Sequence, residues 1–296
     1  MIVDAHQHYW EVARGDYRWL GPHLAPLYRD FGPQDLEPEL AACGVAGTIL
    51  VQAADSLAET RYLLALAART DAVLGVVGWV DLEAPSARAE IAELARDPLL
   101  VGIRPMLQDL ADPRWVLREE VVRALGELPR HGLCFDALVR PVQLDAIAEL
   151  GTRIPELDLV VDHGGKPTLG ARRWSGFAQW RAAHARIAAN PRARCKLSGL
   201  VTEVEPGLSL ALARSELART LDVLLDLYGP TRCLWGSDWP VVTLRCGYRE
   251  WWTLAHELTA RLSESEQALV FGVNASTFYR RARSPRARTL ARPGLA

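Results

Sequence analysis

Two histidines close to the start of the chain, His6 and His8, are separated by a single residue. They follow a short apolar opening, Met1-Ile2-Val3, which is typical of a β-strand. On an extended strand, residues two apart face the same side with about 6.5 Å of rise between them, so both imidazoles can reach one cation about 2.0–2.1 Å from each nitrogen. The spacing therefore predicts a metal site. The pair alone is equally compatible with one packed and one solvated histidine among the seven in the chain.

The elements that must position these histidines alternate along the chain. Short apolar runs bounded by turn residues predict eight strands, and each is followed by a segment with helical periodicity. The predicted strands are 2–6, 47–52, 73–79, 100–104, 133–138, 157–163, 194–198 and 232–238, and the predicted helices are 35–43, 57–69, 84–94, 118–131, 142–154, 177–189, 210–227 and 248–262.

This alternation predicts an α/β fold, a single-domain (β/α)8 TIM barrel over residues 1–279, with 280–296 as a peripheral Arg- and Pro-rich extension. A doubly wound open sheet is the alternative. That fold usually carries a Gly-rich turn after its first strand, and the chain has His-Gln-His-Tyr-Trp at this position. We therefore favour the barrel.

Polar side chains occur where the predicted strands end, which is the edge of such a barrel that carries the active site. A polar residue at the end of one strand can simply be hydrogen-bonded to its neighbours. Polar residues at the ends of most strands, all on one rim of the barrel, instead favour an active site. The residues in question are His6 and His8 on strand one, Gln52 on two, Trp79 on three, Arg104 on four, Asp136 on five, His163 and Lys166 on six, and Asp238 and Trp239 on eight.

Composition and charge limit the classes of partner. The chain has 296 residues, is 49% hydrophobic and carries a formal net charge of -2, with a sequence pI near 6.4. It has no strongly basic balance for nucleic acid and no apolar run near the roughly 18 residues that a membrane span requires. Five cysteines without a CxxC pair argue against a disulfide framework. We expect a cytoplasmic protein that acts on a small molecule, and the sequence leaves its oligomeric state open.

The chain uses arginine for nearly all of its cations. Of 34 Lys and Arg residues, only Lys166 and Lys196 are lysine. A compact ammonium differs from a forked guanidinium in its hydrogen-bonding geometry and in how readily burial shifts its pKa. The two lysines, at strands six and seven, therefore indicate positions that require an ammonium in place of a guanidinium. Two lysines left by chance would give the same pattern.

Four motifs in this order resemble the amidohydrolase superfamily, and within it the lactone hydrolases typified by L-fuconolactonase and L-rhamnonolactonase. They are Asp4-Ala5-His6-Gln7-His8-Tyr9-Trp10, Asp162-His163-Gly164-Gly165-Lys166-Pro167, Lys196-Leu197-Ser198-Gly199-Leu200-Val201-Thr202-Glu203 and Gly236-Ser237-Asp238-Trp239-Pro240-Val241. The resemblance extends from the first strand to Tyr279.

The resemblance implies a ligand set for one divalent metal ion, with zinc the expected metal: His6 and His8 as the strand-one pair, with His163 and Asp238. Asp238 matches the aspartate that activates water. Binuclear relatives carry a bridging lysine or carboxylate and a histidine on strands four and five. Here those strands offer Arg104 and Asp136, so we expect a mononuclear site.

The expected reaction is hydrolysis of a sugar lactone, an aldono-1,4- or 1,5-lactone such as L-fuconolactone. Asp238 is the expected general base, His163 and Lys166 the groups that assist at the carbonyl. The expected substrate-binding residues are Gln52, Trp79, Arg104, Asp136 and Trp239. Two alternatives remain: an amidohydrolase-related decarboxylase of an aromatic or muconate-type acid, and a catalytically silent binding protein.

Overall fold

The computed structural model describes residues 1–170 and 174–279, and its sheet has eight parallel strands in sequence order. The strands are β1 Ile2–Gln7, β2 Val45–Val51, β3 Val73–Gly78, β4 Leu100–Ile103, β5 Cys134–Ala137, β6 Leu159–Val161, β7 Ala193–Leu197 and β8 Cys233–Trp235. The ring closes where β1 meets the residues after β8: the backbone N–H of His8 donates to Trp239 O at 2.7 Å, and that of Asp238 donates to His6 O at 2.8 Å. The predicted (β/α)8 barrel is confirmed.

A helix follows each strand and covers the outside of the sheet. These are α1 Pro33–Cys43, α2 Leu57–Ala68, α3 Ala87–Leu94, α4 Glu119–Leu125, α5 Leu144–Arg153, α6 Phe177–Ala188, α7 Leu210–Tyr228 and α8 Tyr248–Leu258. Helix α5 shows the cause: Leu144, Ile147 and Leu150 recur at helical spacing and are buried, so one stripe packs on the sheet. None of the helices in the described ranges is long and apolar enough to cross a membrane.

Several element boundaries differ from the sequence prediction. The predicted helix 118–131 divides into α4 and a 3₁₀ turn, Leu128–His131, because Pro129 has no backbone N–H to continue an α-helix. Strand β6 ends at Val161, two residues early, since the next residues form a tight turn. The chain also continues after α8 into unpredicted helices, α9 Glu264–Ala268 and α10 Asn274–Phe278, joined by a π-helical segment, Leu269–Val273. The predicted extension 280–296 lies outside the described residues.

Apolar side chains form two layers. A small cluster fills the interior of the barrel below the site, and a much larger one lies between sheet and helices. The interior cluster consists of Val3, Ala5, Ile49, Val51, Val77, Val101, Cys134, Val160, Leu234, Ala275 and Tyr279. Side chains of the described residues therefore fill the lower end of the barrel, and within the barrel the room for a ligand lies at the carboxyl ends of the strands.

Candidate active site

Three side chains face one point at the carboxyl end of the barrel. The Nε2 atoms of His6 and His8 are 3.2 Å apart, and Asp238 Oδ1 lies 3.7 Å from the first and 3.4 Å from the second. Ligands about 2.05 Å from a tetrahedral ion lie about 3.3 Å from one another, so these distances fit one zinc-sized cation. His163 Nε2 is 3.9 Å from Asp238 Oδ1, at the edge of the same cluster.

An irregularity in β1 brings both histidines to this point. Val3 and Ala5 face the barrel interior, so strict alternation would turn His6 outward. The register between β1 and β2 shifts between Asp4 and Gln7, which changes the alternation before the histidines. His8 Nδ1 then lies 2.8 Å from Val51 O; as a donor there it leaves Nε2 free to bind a cation.

Left-handed backbone conformations are concentrated at the site. Across residues 1–170 and 174–279, the non-glycine residues with positive φ are His163 at 53°, Lys166 at 52° and Asp238 at 58°. Such conformations cost side-chain-bearing residues of order 1 kcal/mol and persist where the surroundings enforce them, typically at functional sites. Gly164 and Gly165 lie between the first two, so four consecutive residues turn left-handedly after β6.

Buried polar side chains from the helices hold this turn in place. The carbonyl of Gly164 accepts from Trp180 Nε1 at 2.8 Å and lies 3.0 Å from His184 Nε2. His184 Nδ1 lies 2.9 Å from the Tyr228 hydroxyl. Burial lowers the pKa of His184 to about 4, so the ring is neutral near pH 7; its Nε2–H can donate to Gly164 O while Nδ1 accepts from Tyr228.

A network of buried charges lies directly beneath His6. Lys196 Nζ is 2.6 Å from Asp136 Oδ2, 3.0 Å from Asp162 Oδ1 and 3.1 Å from His6 Nδ1. The Tyr279 hydroxyl donates to Asp136 Oδ2 at 2.7 Å. Burial alone would lower the pKa of Lys196 and raise that of Asp162, but their opposite charges outweigh it and shift both pKa values the other way. Both groups are therefore ionised.

Arg104 connects this network to the cavity above it. Its Nε donates to Gln52 Oε1 at 2.8 Å, its Nη2 donates to Gln52 O, and its Nη1 donates to Asp162 Oδ2 at 3.2 Å. The same Nη1 lies 3.3 Å from His6 Nε2. The guanidinium and a divalent ion would thus compete for one imidazole lone pair.

Above the cluster is an open cavity of about 470 Å³. This volume lies within the roughly 300–1,000 Å³ of ordinary small-molecule sites. Its lining includes His8, Arg104, His163, Lys166 and Asp238. Lys166 Nζ also pairs with Glu203 Oε1 at 2.8 Å, which fixes the ammonium at the rim.

The other predicted substrate-binding residues do not line this cavity. Gln52 is fully buried and holds Arg104, and Asp136 is fully buried beneath His6. Trp239 packs edge-on against Tyr9 and Phe31. Trp79 lines a different surface cavity, beside Ser56 and Asp81.

Several residues of the site were missed or given no role from the sequence. Asp162 had the strongest available signal, since it directly precedes His163. Lys196 was recognised as an unusual lysine, but no charge partner could be assigned without the fold. Ser198, whose hydroxyl lies 2.9 Å from His163 Nδ1, had no distinguishing signal.

Electrostatics set the protonation of the two candidate catalytic groups. Burial lowers the pKa of His163 to about 4, so the ring is neutral near pH 7. Burial would raise the pKa of the Asp238 carboxyl, but its interactions with His163, His8 and His6 outweigh this and hold the pKa below its usual range. Asp238 is thus ionised near neutral pH and able to accept a proton.

Comparison with known proteins identifies the family of the chain. The amidohydrolase family matches residues 3–281. The chain belongs to this family. A curated relative, L-fucono-1,5-lactonase from Burkholderia ambifaria, is 44% identical over 282 residues, which cover 94% of this amidohydrolase and 95% of the relative. A second L-fucono-1,5-lactonase, from Burkholderia multivorans, is 38% identical over 94% of this chain and 95% of its own length.

The fold also resembles that of a solved amidohydrolase structure. A crystal structure of a Burkholderia multivorans amidohydrolase with bound zinc superposes with a TM-score of 0.89 at 38% identity, covering 94% of this chain and 99% of the other. The family prediction is thereby confirmed. With the donor set of His6, His8 and Asp238, the relatives support a divalent metal for this amidohydrolase.

Proposed function

We propose that this amidohydrolase opens a sugar lactone, an aldono-1,4- or 1,5-lactone such as L-fuconolactone, by attack of water on the carbonyl. The observation that carries the proposal is the convergence of His6, His8 and Asp238 on one point at the floor of an open cavity. The two L-fucono-1,5-lactonase relatives, at 44% and 38% identity over nearly the whole chain, support the same reaction class.

We propose one divalent ion, zinc, held by His6, His8 and Asp238, with His163 as a further contact. When bound, such an ion acts as a Lewis acid and lowers the pKa of water. His8 is prepared for this role because its Nδ1 can donate to Val51 O, which leaves Nε2 free to face the ion.

Asp238 is the proposed general base. Its Oδ1 faces the point where the histidine Nε2 atoms converge, so a water on the cavity side of this point lies within hydrogen-bonding reach of a carboxylate. Transfer of a water proton to Asp238 produces the nucleophile, and the same proton then neutralises the departing ring oxygen. A carboxylate with a low pKa is a weak base, so the proposal requires that the bound ion lower the pKa of the attacking water.

Positive groups around the cavity stabilise the oxyanion of the tetrahedral intermediate. Lys166 approaches from the left-handed turn after β6, held by Glu203. Arg104 approaches from the end of β4, held by Gln52 and Asp162. Fixed charges that need no reorganisation are the most effective way to stabilise developing negative charge. Neutral His163 can hydrogen-bond the carbonyl.

Two further substrate-binding residues of the sequence prediction, Trp79 and Trp239, are proposed only as supports of the loops around the site. Asp136 is proposed as part of the charged network below His6, and Gln52 as the anchor of Arg104. Each proposal follows the contacts of these side chains with their neighbours.

The test is a panel of aldonolactones with purified protein, followed with a pH indicator, before and after a chelator and after zinc is added back. Lactone hydrolysis releases one proton per turnover, whereas the alternative decarboxylation of an aromatic or muconate-type acid releases carbon dioxide. Indicator change with at least one aldonolactone supports the proposal. Carbon dioxide release from an acid panel, with no lactone hydrolysed, would replace it.

A further inference from the structure

The wall of the cavity is chemically divided, and one side of it is apolar. The loop between β1 and α1 contributes Trp19, Leu24 and Leu27, and the loop between β8 and α8 contributes Val241 and Leu244. These loops are neighbours, because the backbone bonds between β1 and the segment after β8 close the barrel. Leu244 is 37% exposed, so apolar surface reaches the rim of the cavity.

The opposite side carries most of the polar groups. In a closed ring of eight strands, β4 and β5 lie across from β1 and β8. The loops after β4, β5 and β6 contribute hydrogen-bonding and charged side chains, with Met106 and Leu138 between them. The polar members are Arg104, Gln108, Asp109, Arg140, His163 and Lys166.

A lactone held with its carbonyl at the catalytic floor must meet both walls. Lys166 and Arg104, which suit the developing oxyanion, belong to the polar side. The carbonyl oxygen and the hydroxyl-bearing ring edge therefore face the loops after β4–β6. The ring oxygen and the substituent on its neighbouring carbon are then directed to the loops after β1 and β8, where apolar surface favours an alkyl group over a hydroxymethyl group.

We propose that this cavity also hydrolyses non-sugar δ-lactones that carry an alkyl chain on the carbon next to the ring oxygen. The inference depends on the proposed lactonase chemistry and extends its range of substrates. The bond changes are those of ester hydrolysis: the water oxygen bonds to the acyl carbon, the bond from acyl carbon to ring oxygen breaks, and the ring oxygen takes a proton. The product is a 5-hydroxyalkanoate with one proton released.

The decisive assay compares six-membered lactones that differ only in this substituent: methyl, propyl and hydroxymethyl, together with the aldonolactone panel. Burial of a methylene favours binding by about fourfold, so the two additional methylenes of propyl should raise kcat/KM by up to about 15-fold over methyl. The hydroxymethyl compound should be the poorest of the three. No rise from methyl to propyl, or a preference for hydroxymethyl, would overturn the inference.

The controls separate this inference from the proposed function. If aldonolactones are hydrolysed and the alkyl series shows no rise, only the alkyl inference fails. If no lactone of either kind is hydrolysed, both fail. If only the alkyl series is hydrolysed, with the expected rise, the inference stands and the sugar substrate is wrong.

A pair of matched variants tests which wall holds the substituent. Leu244→Ser changes an exposed side chain of the apolar wall and should lower the propyl-to-methyl ratio of kcat/KM at least threefold. Leu212→Ser makes the same change at a leucine on α7 that is 72% exposed and not part of the cavity lining, and should leave the ratio unchanged. An unchanged ratio in Leu244→Ser would overturn the assignment.

Discussion

Replacement of Lys196 by methionine should strongly destabilise the fold. The ammonium is fully buried between Asp136 at 2.6 Å and Asp162 at 3.0 Å, and Arg104 pairs with the second carboxylate at 3.2 Å. These two cations and two carboxylates balance in the wild type. The variant keeps one cation for two carboxylates, and one uncompensated buried charge typically costs about 3–5 kcal/mol.

Urea denaturation followed by tryptophan fluorescence measures this loss. Protonation of the unpaired Asp136 relieves the excess charge, so the deficit relative to wild type should be smaller at pH 5 than at pH 8. The double variant Lys196→Met/Asp136→Asn restores the charge balance and should recover most of the lost stability. Lys166→Met is the matched control: among the described residues this lysine pairs with one carboxylate, Glu203, near the surface, so its loss should cost no more than about 1 kcal/mol.

Two results would refute the reasoning. One is a loss below about 1 kcal/mol in Lys196→Met, the range of an exposed pair. The other is a double variant no more stable than the single one, since the ammonium would then not be compensating the charge of Asp136.

The remaining predictions concern the site and its supports. Lys166→Arg should lower kcat/KM about 10- to 100-fold although the charge is kept, because the larger guanidinium places the positive charge away from the position of the ammonium. A variant with wild-type kinetics would contradict this prediction. His8→Ala should weaken zinc binding by more than about 100-fold in calorimetry, which is more than the loss of a residue that only hydrogen-bonds a metal ligand. The control His23→Ala, at an exposed histidine, should bind zinc as the wild type does. Burial raises the pKa of Glu59 from 4.5 to about 8, so the folded state retains a proton that the unfolded chain has lost, and stability should fall between pH 5 and 8 by up to about 1.4 kcal/mol per unit. Glu59→Gln should flatten this profile in denaturant titrations at each pH; an unchanged slope would show that Glu59 is not its source.

Much of the architecture could be predicted because the barrel depends on patterns that the sequence displays directly. Each strand is a short apolar run, and each covering helix has an apolar stripe, as Leu144, Ile147 and Leu150 show in α5. The final helices after Leu258 were not predicted, because no strand precedes them and the π-helical segment interrupts their periodicity.

The candidate site could be predicted only where chemistry follows from a position at a strand end. His6, His8, His163 and Asp238 were named this way, and the structure brings them together. Beyond the end of a strand, the sequence position of a residue does not show which way its side chain points. Asp136 therefore turned out to lie below His6, where it pairs with Lys196, rather than in the cavity wall.

Pairs of side chains that are far apart in the sequence could not be predicted either. Lys196 and Asp136 are 60 residues apart, and the hydrogen bond from Trp180 to Gly164 links a helix to a loop. The left-handed turn had only its Gly-Gly pair as a signal, and nothing indicated that His163 and Lys166 share that conformation.

The most direct test of the catalytic proposal is the turnover of Asp238→Asn on an aldonolactone that the wild-type protein hydrolyses. The amide cannot accept the water proton, so kcat should fall at least about 100-fold, while the urea midpoint stays near that of wild type. A folded variant with kcat within about threefold of wild type, far short of the loss of an acid–base group, would contradict the account.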